Sequence, residues 1–127
     1  MLYLSSGIVR YKNTWVILEI DTDIHSYYRS LIPKYIYSNR QMYSPHISVA
    51  RKEPPRNMQD WGKFEGNVID FHYDNTIFFG EVYIWLNCYS KSLENIMESL
   101  GLSFYNPYIQ PPTGFSQVFH TTIGNFK

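Results

Sequence analysis

The sequence predicts a single α+β domain of two pseudo-symmetric lobes, with antiparallel sheets lining a central cleft and helices outside. Size is the first observation behind this expectation, because 127 residues fit one domain of the usual roughly 100–150. The second is an order of elements (strand, helix, loop, strand) read over about residues 7–66 and again over about 67–127. The third is that each pass closes on a histidine-bearing strand, with His46 in the first and His120 in the second. Two units built alike tend to pack around a pseudo-two-fold axis, which brings their equivalent strands together near the middle.

Each element has a local reason. Gly7–Tyr11 and Trp15–Ile20, parted by Lys12-Asn13, outline a hairpin rich in branched and aromatic residues. Asp21, Thr22 and Asp23 are good helix N-caps. Ile24, Tyr27, Tyr28 and Leu31 follow at offsets 0, 3, 4 and 7, the apolar stripe of an amphipathic helix that Pro33 ends. Pro45–Arg51 reads as a strand. In the second pass Val68–Tyr73 and Thr76–Phe79 flank a hairpin turn expected at Asp74-Asn75, and Val82–Asn87 is the next strand. Ser90 or Ser92 caps a helix whose stripe is Leu93, Ile96, Met97 and Leu100, and Gly101 stops it. Val118–Gly124 is the last strand. The segments Glu53–Arg56 and Asn106–Gly114 read as loops within the domain.

Composition narrows the function. At 44% hydrophobic, 18% aromatic and 17% charged, the chain is too apolar for a disordered one. Eleven basic and eleven acidic residues cancel, which argues against binding long nucleic acid through bulk positive charge. The single Cys88 excludes an internal disulfide or a cysteine metal cluster and fits a reducing compartment. No apolar run approaches the ~18 residues of a membrane span, and residues 1–13 lack the pattern of a secretory signal. The expectation is a cytoplasmic, monomeric protein without membrane contact.

Strand alternation places His46 with Ser48 on one face, and Ile47 with Val49 on the other. His120 likewise shares a face with Thr122, while Phe119 and Ile123 face away. Paired imidazoles and hydroxyls suit phosphodiester chemistry. A neutral imidazole activates water and a protonated one supplies the leaving oxygen with its proton. The hydroxyls donate to the non-bridging phosphate oxygens. A histidine followed by any residue, then Ser or Thr, then a hydrophobic residue arises by chance with a probability of roughly 0.06. Two such runs among four histidines are therefore about a 2% event, even before strand context is required. His25 and His72 act as internal controls and lack the pattern.

At His46-Ile47-Ser48-Val49 and His120-Thr121-Thr122-Ile123 the sequence resembles the two-histidine (2H) phosphoesterase superfamily, which carries one such motif in each half of a bilobal α+β fold. Pro45, Ala50-Arg51 and Gly124 resemble the surroundings common in that family. The specific match is confined to the motifs, and the first uses Ser where Thr is commoner. The resemblance implies a metal-independent phosphodiesterase acting on a nucleotide or RNA end without a cofactor. His46 and His120 would be the catalytic pair, Ser48 and Thr122 would bind phosphate, and a 2′,3′-cyclic phosphate is the leading substrate. One alternative is a viral-type enzyme that degrades cyclic or 2′,5′-linked oligonucleotide immune signals in the host cytoplasm. Another is a non-catalytic nucleotide- or RNA-binding module.

Further candidates for substrate contact are Tyr11 and Phe115, as stacking surfaces, and Arg51, as a phosphate ligand. Each has a plainer role, Tyr11 as a core or surface residue, Phe115 as a loop anchor and Arg51 at an exposed strand end. Trp15 and Trp85 are expected in the core. Asp21 and Asp23 read as caps, and Glu94 and Glu98 as a solvated helix face. His72-Tyr73-Asp74 lacks the ligand count of a metal site, so none is expected.

Overall fold

The computed structural model describes residues 2–12, 15–41, 43–50, 59, 61–102 and 110–126. The elements are β1 (Leu2–Lys12), β2 (Trp15–Ile20), α1 (Thr22–Ser30), β3 (His46–Ala50), β4 (Val68–Asp74), β5 (Phe78–Phe79), β6 (Tyr83–Tyr89), α2 (Lys91–Ser99) and β7 (Phe119–Asn125).

These elements do not form the expected bilobal α+β fold with a central cleft. The protein is mostly β, a six-stranded antiparallel barrel with two short helices. Around the barrel the order is β4-β1-β2-β3-β7-β6, with β6 returning to β4 through Cys88 and Tyr89 and pairing with β5 at Ile84 and Trp85. The cause lies in β1 and β4. β1 begins at Leu2 rather than Gly7, and residues 2–8 pair with β4 from Leu2↔Asp74 to Ile8↔Val68. β4 then uses its other edge on β6, at His72↔Tyr89 and Tyr73↔Cys88. Two separate sheets would leave unpaired edges, which closure removes. The turn expected at Asp74-Asn75 joins strands that do not pair. Asp74 Oδ1 accepts from the Thr76 amide at 3.0 Å, and the chain passes on to β5, which pairs with β6.

One face of each barrel strand enters the core. Val9, Leu18, Ile47, Phe71, Cys88 and Phe119, one from each of the six, belong to one buried cluster. Helix α2 packs into it with its predicted stripe of Leu93, Ile96, Met97 and Leu100, all buried. Burial of each such side chain stabilises by about 1.5–3 kcal/mol. Ser90 caps this helix by accepting from the Leu93 amide at 3.2 Å. Glu94 is not solvated as expected, because its Oε2 accepts from the amides of Ser116 (2.9 Å) and Gln117 (3.2 Å) and holds the approach to β7.

Helix α1 starts as expected, with Asp21 Oδ1 accepting from the Asp23 amide at 2.9 Å. Its apolar stripe does not settle as expected. Tyr28 is buried against Ile84, Leu86 and Ile123, but Tyr27 and Leu31 are 59% and 50% exposed. The second buried residue of α1 is His25. No helix is long and apolar enough to cross a membrane among the described residues, which leaves strands out of account.

Candidate functional site

The register between β3 and β7 builds the site. Ile47 and Thr121 are the paired residues, and both are fully buried on the core side. Alternation sends His46, Ser48, His120 and Thr122 to the outer face of the barrel. Because the strands run antiparallel, His46 stands opposite Thr122 and Ser48 opposite His120. The imidazoles occupy one diagonal of a square and the hydroxyls the other. Same-face cross-strand neighbours have Cβ atoms about 4.5–5.5 Å apart, and diagonal ones lie about 7–8 Å apart. The antiparallel pairing relates the two motifs locally, one strand to the other.

The neighbouring strands frame this square. On β2, Glu19 is opposite His46 and Ile17 opposite Ser48. On β6, Trp85 is opposite Thr122 and Asn87 opposite His120, and beyond them Phe78 is opposite Trp85. The β2 side is charged but balanced. Glu19 lies 3.6 Å from Arg10 Nε and 3.7 Å from Lys12 Nζ, and Arg10 lies 3.4 Å from Glu65. The β6 side is aromatic. Phe78 and Trp85 stack with centroids 5.8 Å apart and planes at 16°. Trp85 was expected in the core but is half-buried on this outer face, where its indole N–H donates to Asn87 Oδ1 at 3.1 Å.

The two histidines differ in their surroundings. His46 Nδ1 lies 2.7 Å from the Ser44 carbonyl oxygen. A carbonyl only accepts, so Nδ1 carries the proton and Nε2 is left for a ligand. His120 meets Trp85 edge-on, with centroids 5.7 Å apart and planes at 72°. His120 is exposed on this face, yet the protein packed around it lowers its pKa below the usual 6.5 by desolvation. The neutral form is therefore favoured near pH 7.

Behind the sheet lies a histidine that the sequence pattern passes over. His25 Nε2 is 2.7 Å from Thr121 Oγ1, and that hydroxyl donates to the His46 carbonyl at 2.9 Å. The hydroxyl has one proton, so His25 donates to it through Nε2–H. Burial pushes the His25 pKa down to about 4, with the charges of His46 and Arg29 adding to the effect. The only signal in the sequence is polar spacing, because Thr22, His25, Ser26 and Arg29 repeat at 0, 3, 4 and 7 on α1.

Of the other predicted contacts, Phe115 reaches the outer face. It packs 5.6 Å from Tyr89 and 5.7 Å from His72, centroid to centroid, beyond Asn87. Tyr11 does not reach it. It pairs with Val16 on the core side and meets Trp61 edge-on at 5.1 Å. Arg51 lies outside the described residues. Cys88 is fully buried, and burial pushes its thiol pKa up, so it is no nucleophile. Among the described residues no group of three or more His, Cys, Asp or Glu side chains is placed to hold a metal ion. No protein family, curated protein or solved structure matches the chain.

Proposed function

We propose that this chain is a metal-independent phosphodiesterase acting on nucleotide or RNA-end phosphodiesters, with a 2′,3′-cyclic phosphate as its leading substrate. The observation that carries the reading is the Ile47↔Thr121 pairing, which places both imidazoles and both hydroxyls on one face of the β3–β7 pair. The resemblance of the two motifs to those of two-histidine phosphoesterases points to the same chemistry.

The asymmetry between the histidines suggests their roles. His120, which desolvation keeps neutral, takes a proton from water as the water oxygen attacks phosphorus. His46, anchored through Nδ1, gives the proton on Nε2 to the departing ribose oxygen. Ser48 and Thr122 donate hydrogen bonds to the non-bridging oxygens as charge builds there. The P–O bond to the ribose breaks, a phosphomonoester leaves, and proton exchange with solvent restores both rings. The stacked Phe78 and Trp85 offer an apolar surface to a base beside the phosphate. On the other flank Arg10 and Lys12 are paired with carboxylates, which favours a small substrate over a long strand.

The test is incubation of purified protein, in EDTA, with 2′,3′-cyclic nucleotides, 2′,5′-oligoadenylates and cyclic dinucleotides, with products identified by mass spectrometry. Opening of the cyclic phosphate to a monoester, lost in His46→Ala and His120→Ala, is the expected result. No turnover of any member, or parent-level turnover in either variant, overturns the reading.

A further inference from the structure

A cavity lies on the core side of β7, between α1 and the residues Arg40, Gln41, Tyr43 and Pro45, behind the sheet that carries His46 and His120. It has a volume of about 440 Å³, within the range of about 300–1,000 Å³ typical of small-molecule sites. We propose that it binds a phosphomonoester of nucleotide or sugar size, at a site separate from the His46–His120 face.

The polar stripe of α1 lines it with Thr22, His25, Ser26 and Arg29, and the opposite wall brings Arg40 and Tyr43. No carboxylate is among the lining residues, and neither arginine has an ion pair among the described residues. Two guanidinium groups thus share one cavity without a counter-charge. Burial and the Arg40 charge both work against the charged form of Arg29. An anion relieves that repulsion.

Arg29 is anchored for this task. Its guanidinium donates to the carbonyls of Ile123 (2.9 Å), Asn39 (3.3 Å) and Ser38 (3.4 Å). Of the five N–H groups a guanidinium carries, some remain for a ligand. The carbonyls fix the group in place, so little side-chain entropy is lost on binding. Arg40, exposed at the mouth, supplies the second charge.

His25 supplies the selectivity. Its Nε2–H is engaged by Thr121, so in the neutral ring Nδ1 is left as an acceptor on a residue that lines the cavity. A phosphomonoester has its second pKa near 6, so near that pH much of it is a monoanion with one P–OH to donate. A sulfate has none. The donor set of two arginines with one acceptor therefore prefers a phosphomonoester to a sulfate.

Calorimetric titration at pH 6.5 and low salt with inorganic phosphate, ribose 5-phosphate, AMP, adenosine and sulfate tests this. AMP, ribose 5-phosphate and phosphate should bind, sulfate should bind at least about tenfold more weakly, and adenosine should give no heat. Which of the three phosphates binds most tightly tells free phosphate, sugar phosphate and nucleotide apart. Arg40→Ala should weaken AMP at least about tenfold while circular dichroism stays unchanged. The double variant His46→Ala/His120→Ala should bind as the parent protein does. Wild-type affinity in Arg40→Ala, sulfate bound as tightly as phosphate, or loss of binding in the double histidine variant would each overturn the proposal. The last of these would place the ligand on the outer face instead.

Discussion

His25 and Thr121 are joined on the core side of β7, the imidazole Nε2–H donating to the threonine hydroxyl at 2.7 Å. The same hydroxyl donates a hydrogen bond to the His46 carbonyl at 2.9 Å, so helix α1 is tied to the backbone that carries His46. Both side chains are buried, and a polar group buried without its partner costs far more than an exposed one.

Thr121→Val keeps the shape and removes the hydroxyl. It leaves the His25 N–H and the His46 carbonyl without their partner, and stability should fall by about 1–3 kcal/mol in urea denaturation. A loss below about 0.5 kcal/mol would show that the pair does not hold α1 to the sheet.

The same pair sets how stability depends on pH. His25 titrates near 4 in the folded chain and near 6.5 when unfolded. Between those values the unfolded state binds more protons. The contribution is fully present above about pH 6.5 and is lost as pH falls toward 4, by up to about 3 kcal/mol for a shift of this size. His120, shifted in the same direction, adds to the slope. Denaturation curves from pH 8 to pH 4 should record the loss, and His25→Asn should flatten it. An equal slope in that variant would remove His25 from the account.

Loss of either outer histidine should reduce turnover of a 2′,3′-cyclic nucleotide by about 10²–10⁴-fold, the scale of a general acid or base. The double variant should fall well short of the product of the two losses, because both rings act on one step. Ser48→Ala and Thr122→Val should each cost about 10²-fold through kcat, as lost hydrogen bonds to the transition state do. An effect of either hydroxyl variant on KM alone would mean that these groups bind substrate without stabilising the transition state.

Much of this site was legible in the sequence, because strand alternation and helical spacing are local. His46 with Ser48, His120 with Thr122 and the α2 stripe needed only the periods of two and 3.6 residues. Closure of the barrel was not legible. It depends on β4 pairing with β1 at one edge and β6 at the other, contacts between residues far apart in the chain. The inner side of α1 was misread for a different reason. Ile24, Tyr27, Tyr28 and Leu31 share their spacing with the polar set Thr22, His25, Ser26 and Arg29, and the helix turns part of the polar set inward. Trp85 looked like core because size and apolarity do not reveal which face of a strand is covered.

The pH dependence of the rate tests the division of labour between the two histidines. If His120 must be neutral to accept a proton and His46 protonated to release one, activity rises with pH through the first titration and falls through the second, giving a bell. Desolvation lowers the His120 pKa, so the rising limb should sit below the ordinary imidazole value of 6.5. Both limbs belong to the pair, because rings sharing one phosphate titrate together. Trp85 makes the edge contact with His120, so Trp85→Leu thins its cover and should move the rising limb up toward 6.5. Phe78→Leu alters the platform one step away from His120 and should raise KM for the nucleotide while leaving that limb in place. EDTA should change neither limb, because the proposed step runs on the two imidazoles. A rising limb that stays put in Trp85→Leu and moves instead in a His46 variant would exchange the roles of base and acid. A rate that climbs steadily to pH 10, or one abolished by EDTA, would replace the imidazole pair with metal-bound hydroxide.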